Sequence, residues 1–344
     1  MSVGIHRVDD LVARGFVKST DAAALEVLVV RYALAITPAM TTLMDACDVD
    51  DPIARQFVPD LREAETQPEE LADPIGDGAH SPVEGIVHRY PDRVLLKLLH
   101  VCPIYCRFCF RREMVGPGAE QVLSPSALDQ ALAYIAAHEE IWEVILTGGD
   151  PLALSPRRLA DVMGRLDEIA HLKIIRFHSR VPAVDPARID DEMVAALTST
   201  SKTVYVALHA NHPRELGEAA AQALGRLVSA GIPLVSQTVL LKGVNDDFDT
   251  LAALMRRFVE LRVKPYYLHQ GDLAPGTSHF RVDLEKARAL VSQLRHEVSG
   301  LCQPAFVLDI PGGYGKVSVG PDHLTPDGVA DHRGVIHPYP ALPR

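Results

Sequence analysis

Cysteine is scarce in this chain: five in 344 residues, at positions 47, 102, 106, 109 and 302. So low and odd a count excludes a disulfide-built scaffold. Positive charge is also short. There are 34 basic against 45 acidic side chains, a net charge of −11, which leaves no electrostatic footprint for nucleic acid or an anionic membrane surface. No apolar run is long enough to cross a bilayer, since the most apolar stretch, 23–36, is broken by Glu26 and Arg31. Asp9 and Asp10 precede any apolar segment, so the N-terminus does not read as a secretory signal. A reducing cytoplasm is the expected compartment, where free thiols persist and can hold metals. Repeats and low-complexity tracts are missing too. What remains is ordinary globular composition, 47% hydrophobic and 23% charged, which excludes a disordered chain, a collagen and a coiled-coil rod.

The chain changes character near residue 90. Residues 1–70 read as helical, most clearly over 22–36 and 38–47, and proline and acidic residues over 60–82 mark a linker. From residue 94 short apolar runs alternate with amphipathic stretches. Strands are expected at 94–101, 142–147, 172–178, 203–209, 233–241 and 265–269. Helices are expected at 126–138, 156–170, 190–198, 213–230, 247–261 and 284–298. Strands alternating with helices imply βαβ units and a parallel sheet, either an open barrel or a doubly wound sheet. Ligands then gather beyond the C-terminal strand ends. The expected division is a helical region and linker over 1–90, the α/β part over 91–324, and a tail over 325–344.

Three of the five cysteines fall in Cys102-Pro-Ile-Tyr-Cys106-Arg-Phe-Cys109, directly after the first expected strand. Thiolates suit zinc and iron–sulfur clusters. A closed structural zinc needs four ligands, so the bland reading is a zinc loop completed by a distant His or Cys. The other is a cubane cluster with one iron left open. Thr147-Gly148-Gly149-Asp150-Pro151 ends the second strand, where glycines let backbone and ligand approach closely; alone it reads as an ordinary turn.

With Phe108 just before the third cysteine, this loop and the Gly-Gly-Asp-Pro turn together resemble the radical S-adenosylmethionine superfamily. The resemblance implies a partial (β/α)6 TIM-like barrel with an N-terminal helical region. It implies a 4Fe–4S cluster on Cys102, Cys106 and Cys109, with S-adenosylmethionine bound to the open iron beside Phe108, Gly148, Gly149, Asp150, His209 and Gln237. For His209 and Gln237, a polar residue satisfied inside the barrel is the competing reading.

More of the chain is similar to the lysine 2,3-aminomutase family, which also uses pyridoxal 5′-phosphate. His88-Arg89-Tyr90-Pro91-Asp92-Arg93 corresponds to the segment that grips the cofactor phosphate, implying Arg89, Tyr90 and Arg93; two guanidiniums and a phenol suit a phosphate. Asp309-Ile-Pro-Gly312-Gly313-Tyr314-Gly315-Lys316 surrounds one lysine with glycines, implying Lys316 as the lysine that carries pyridoxal phosphate. A nucleotide phosphate loop does not fit there, because Gly312 stands only three residues before Gly315 and Val317 follows the lysine. Tyr314 interrupts a glycine run that the family commonly keeps unbroken. For the substrate, the resemblance implies Arg111 at the carboxylate of L-lysine and Asp272 with Asp309 at its ε-ammonium.

The implied activity is migration of the α-amino group of L-lysine to the β-carbon, giving β-lysine, with flavodoxin or ferredoxin as electron donor. The resemblance also leaves a homo-oligomer open. A second reading is the short relative whose (R)-β-lysine is attached to elongation factor P, and a third is a non-catalytic three-cysteine zinc scaffold. Longer family members hold a structural zinc with C-terminal cysteines and one central cysteine. Here Asp247 follows Gly243-Val-Asn-Asp246, and no cysteine follows Cys302, so no such zinc is expected. Cys47 and Cys302 read as structural thiols.

Overall fold

The sheet follows from the alternation of apolar runs with amphipathic segments. Each apolar run becomes a strand covered on its outer face by the helix that follows it. The structure, a computed structural model, describes residues 4–116, 122–331 and 335–340. Short helices come first: α1 (Val8–Ala13), α2 (Ala22–Arg31), α3 (Pro38–Leu43) and α4 (Ala54–Phe57). Then come β1 (Ile86–Tyr90), β2 (Arg93–Leu99), α5 (Pro125–Ala137), β3 (Glu143–Gly148), α6 (Pro156–Asp167), β4 (Ile174–Ser179), α7 (Val181–Val184) and α8 (Asp191–Leu197). The series continues with β5 (Thr203–His209), α9 (Glu218–Ser229), β6 (Leu234–Val239), α10 (Phe248–Glu260), β7 (Val263–His269), α11 (Leu284–Glu297), β8 (Ala305–Ile310) and β9 (Gly315–Ser318).

These strands form one nine-stranded sheet in sequential order from β1 to β9. Neighbours from β2 to β8 pair in parallel. The six expected strand–helix units are therefore present as a partial TIM-like barrel, followed by a further parallel strand, β8. Antiparallel β1 and β9 cover the two edges. The segment 86–90, read from sequence as lying just ahead of the first strand, is itself β1. A small separate sheet, β10 (Leu324–Thr325), β11 (Gly328–Ala330) and β12 (Ile336–His337), lies in the tail. Among the described residues no helix is long and apolar enough to cross a membrane.

Helix α6 shows how local sequence sets an element. Ser155 caps its N-terminus by accepting from Arg158 N, and Pro156 sits at the first helical position, where its missing N–H costs nothing. Leu159, Val162, Met163 and Leu166 recur at helical spacing and are buried against the sheet. Each such side chain contributes about 1.5–3 kcal/mol.

The N-terminal helices back the loop that follows β2. Ala35 O accepts from Tyr105 N at 3.1 Å and Gln56 O from Arg107 N at 2.9 Å. The Arg107 guanidinium, fully buried, pairs with Glu63 and donates to Tyr32 O and Ala33 O. Loop 102–109 is thus held from behind by charge-assisted bonds inside the protein, which are stronger there than in water.

Candidate active site

Cys102, Cys106 and Cys109 line a cavity of about 540 Å³ at the C-terminal ends of the parallel strands. Burial pushes all three thiols up, Cys109 to about 11. Arg180 opposes this at Cys106, donating from Nη1 to its Sγ at 2.8 Å. Among the described residues no group of three or more His, Cys, Asp or Glu side chains is placed to hold a single metal ion. The fit to a cluster rests on donor chemistry and placement: three soft sulfur ligands on one loop, facing a cavity large enough for more than an ion.

The Gly-Gly-Asp turn lies against this loop, and the structure gives its glycines a reason beyond ligand approach. A Cβ at Gly148 would fall 2.3 Å from Leu99 O, and one at Gly149 would fall 2.1 Å from Val101 O. Gly149 N and Asp150 N donate to those same carbonyls. The buried Asp150 carboxylate accepts from Ser179 Oγ at 2.7 Å, Arg180 N at 2.7 Å, Leu152 N at 3.1 Å and Val181 N at 3.2 Å. Its geometric work is to fasten this turn to the end of β4.

Beside the turn, the ring of Phe108 meets His209 and Phe280 edge-on. His209 closes β5, and burial drives its pKa well below the ordinary value, leaving a neutral ring. Its Nε2 is buried with no hydrogen-bond partner among the described residues. An unpaired polar atom in a cavity wall is free to bond a bound ligand or water. Gln237 on β6 meets His178 Nε2 at 3.2 Å. His178 also lines the cavity and is held neutral by burial.

Lys316 occupies the opposite part of the cavity. The β8–β9 hairpin sets Asp309 directly across from it, and the Lys316 ammonium donates to Asp309 Oδ2. His269 Nδ1, at the end of β7, lies 3.3 Å from Lys316 Nζ. The Tyr90 hydroxyl accepts from Lys316 N at 2.7 Å, which joins β1 to β9 across the open side of the barrel. Burial raises the Asp309 carboxyl, but His269 and Lys316 outweigh it and hold the group at about 2. Asp272 goes the other way. Burial, and then the charge of Asp309, push it up to about 7. One acid is ionised and already paired with Lys316; the other makes no ion pair among the described residues.

Arg89, Tyr90, Arg93 and Arg111 also line the cavity. The Arg93 guanidinium stacks over the Tyr90 ring at 3.9 Å. Arg111 sends Nη1 to Thr147 Oγ1 at 3.3 Å and its other edge to Asp77. Arg89 reaches Ile75 O at 2.6 Å and Asp77 at 3.2 Å, while its buried Nε has no partner among the described residues.

The structure therefore brings every residue expected for the site around one cavity. Arg176, His178, Arg180 and His269, which the sequence did not single out, line it as well, and Asp77 stands behind Arg89 and Arg111. Arg176 on β4 donates to Glu143 on the adjacent β3 at 3.1 Å. The available signal was positional, because His178, Arg180 and His269 lie at or just past strand ends, where ligand contacts collect.

Residues 96–255 match the model of the Radical SAM superfamily. Over 291 residues the chain is 40% identical to L-lysine 2,3-aminomutase of Clostridium subterminale, covering 85% of this chain and 70% of that one. It is 36% identical over 281 residues to L-lysine 2,3-aminomutase of Escherichia coli, covering 82% and 81%. Glutamate 2,3-aminomutase of Clostridioides difficile is 34% identical over 298 residues, covering 87% and 70%.

Proposed function

The chain belongs to the lysine 2,3-aminomutase family of radical S-adenosylmethionine enzymes, and from that premise we propose that it moves the α-amino group of L-lysine to the β-carbon, giving β-lysine. One observation carries the reading. A single cavity has three cysteines on one wall and a lysine beside two carboxyl groups on another. A zinc scaffold has no use for the second wall. Glutamate has no use for the two acids, since it would place a carboxylate where they stand.

When bound, the cluster with S-adenosylmethionine supplies a hydrogen-abstracting carbon radical, and pyridoxal phosphate supplies an electron-accepting ring that carries the migrating amine. In this reading Cys102, Cys106 and Cys109 hold the cluster. Phe108, Gly148, Gly149, Asp150, His209 and Gln237 border S-adenosylmethionine. Lys316 carries pyridoxal phosphate, whose phosphate lies against Arg89, Tyr90 and Arg93. Arg111 takes the substrate carboxylate, and Asp272 and Asp309 take its ε-ammonium.

The chain's own groups then do three things. Lys316 must lose a proton before its nitrogen can act, and Asp309 Oδ2 and His269 Nδ1 are the acceptors within reach. Its ammonium meanwhile keeps Asp309 ionised, and the charge is replaced by that of the substrate when Lys316 is committed to the cofactor. The apolar cavity wall, with Val87, Ile145 and Val307 among its members, shields a radical from water. A flavodoxin or ferredoxin as electron donor goes with this reading. The handedness of the product distinguishes free-lysine metabolism from the elongation factor P pathway.

Asp272 makes the reading testable by pH. Burial and the charge of Asp309 push its carboxyl up to about 7, and only the ionised form accepts an ammonium. Below that pH, binding must expel a proton, so the KM for lysine rises by about tenfold per pH unit of acidification. Above it the KM is flat. Asp272→Asn raises the KM and removes this slope. A slope that survives in the variant would assign the titration to another group and count against Asp272 as a lysine contact.

A further inference from the structure

Asp73-Pro-Ile-Gly-Asp77, an acidic loop ahead of β1, has no place in the scheme above, yet it sits at its centre. Asp77 is 1% exposed. One of its carboxylate oxygens accepts from Arg89 Nη2 at 3.2 Å; the other accepts from Arg111 Nε at 3.0 Å and Nη2 at 2.9 Å. A single buried carboxylate therefore bridges the guanidinium assigned to the cofactor phosphate and the one assigned to the substrate carboxylate. Each arginine is tied along one edge and keeps polar capacity on another: Arg89 Nε is buried without a partner among the described residues, and Arg111 Nη1 makes only a long bond to Thr147. A fork fixed on one side presents its free side in one direction.

The loop holding Asp77 is itself fixed. Asp73 accepts from Asp77 N at 2.9 Å and Gly78 N at 2.7 Å. Gly76 has φ +68°, and a Cβ there would lie 2.5 Å from Gly313 N. His80 Nε2 meets Gly313 O at 2.9 Å. The loop is thus pressed against the glycine turn that leads into Lys316.

We propose that Asp77 is a positioning residue that aims Arg89 at the cofactor phosphate and Arg111 at the substrate carboxylate, so that the two grips share one anchor. The proposal rests on the functional reading above and deepens it. A competing role has the opposite sign. If Asp77 served only to balance charge, its removal would raise the local positive potential and tighten the binding of both anions. As a positioning group, its removal frees both guanidiniums to turn and weakens both.

The test uses the full chain reconstituted with iron and sulfide, comparing wild type with Asp77→Asn. Pyridoxal phosphate affinity is read from its absorbance without S-adenosylmethionine, and lysine KM and kcat from turnover. Asp77→Asn is expected to weaken pyridoxal phosphate binding and raise the lysine KM, each by about tenfold or more, with iron content unchanged. In an Arg111→Gln background the same substitution adds little to the lysine KM yet still weakens pyridoxal phosphate, a non-additivity that a general loss of stability does not produce. Unchanged or tighter binding of both ligands, or additive effects on the KM, would overturn the proposal. Should Asp77→Asn fail to take up iron, Asp77→Glu carries the test. It keeps the charge but displaces both guanidiniums, so weaker binding of both ligands at wild-type iron supports the role and wild-type constants overturn it. Wild-type protein that binds no pyridoxal phosphate would sink the functional reading, and the proposal with it; wild-type binding with an unaltered variant sinks the role of Asp77 alone.

Discussion

Lys316→Ala is expected to abolish turnover, by about 10⁴-fold or more, and to remove the visible absorbance of protein-bound pyridoxal phosphate while iron stays at the wild-type level. Lys316 lies on the edge strand β9, across from Asp309 in the β8–β9 register and 3.3 Å from His269. Among the chain's groups around the cavity, it offers an amine with an acid and a base beside it. The cysteine loop follows a different strand, β2. Nothing in the contacts of Lys316 reaches Cys102, Cys106 or Cys109, so the iron content has no reason to change. Arginine does not rescue the variant, because a guanidinium stays protonated at any working pH. The variant also removes the Lys316 charge from Asp309, so its carboxyl rises from about 2, while the His269 hydrogen bond still lowers it. Absorbance spectra and iron analysis on one preparation check all of this. Bound pyridoxal absorbance that survives Lys316→Ala would mean that another amine carries the cofactor.

Cys106→Ala is expected to give the mirror result, with iron lost and pyridoxal phosphate retained. The three cysteines come from one short loop, and a cluster held by two thiolates is left open to solvent at a second iron. The loss reaches beyond the ligand. Arg180 is buried and spans Cys106, Gln56 and Glu215, with distances of 2.8, 2.6 and 2.7 Å. Removing the sulfur frees one arm of that guanidinium, while Gln56 and Glu215 keep the other in place. The barrel should therefore fold, and its circular dichroism should match wild type. Colourless protein that still binds pyridoxal phosphate is the expected outcome. Retained iron would show that Cys106 is no ligand.

The two expected outcomes reflect what is legible in this sequence. The cluster loop is readable because its three ligands are neighbours in the chain, so spacing alone encodes the geometry. Lys316 is readable because glycines mark the turn beside it. Asp77, His178, Arg180 and His269 are not readable in this way. Each acquires a role only when strand ends or loops distant in sequence converge, as when Asp77 meets Arg111 across 34 positions. The parallel strands β2 to β7 carry apolar runs and are legible as strands, whereas β8, also parallel, is not among those expected from sequence. The edge strands β1 and β9 mix charged and apolar residues and read as loop, because one side of an edge strand needs no hydrophobic cover. Motif residues also hold a structural role that pattern reading does not reveal. Gly148 and Gly149 are required by the backbone of Leu99–Val101, and the Asp150 carboxylate fastens the turn to β4.

The central claim is that the cysteine wall and the lysine wall of one cavity act on one substrate. Anaerobic incubation of the chain, loaded with iron, sulfide and pyridoxal phosphate and supplied with S-adenosylmethionine, a reductant and L-lysine, tests it most directly. The account predicts β-lysine as product, with no corresponding product from L-glutamate. Protein loaded with both iron and pyridoxal phosphate that forms no β-lysine, or that converts glutamate in preference to lysine, would contradict it.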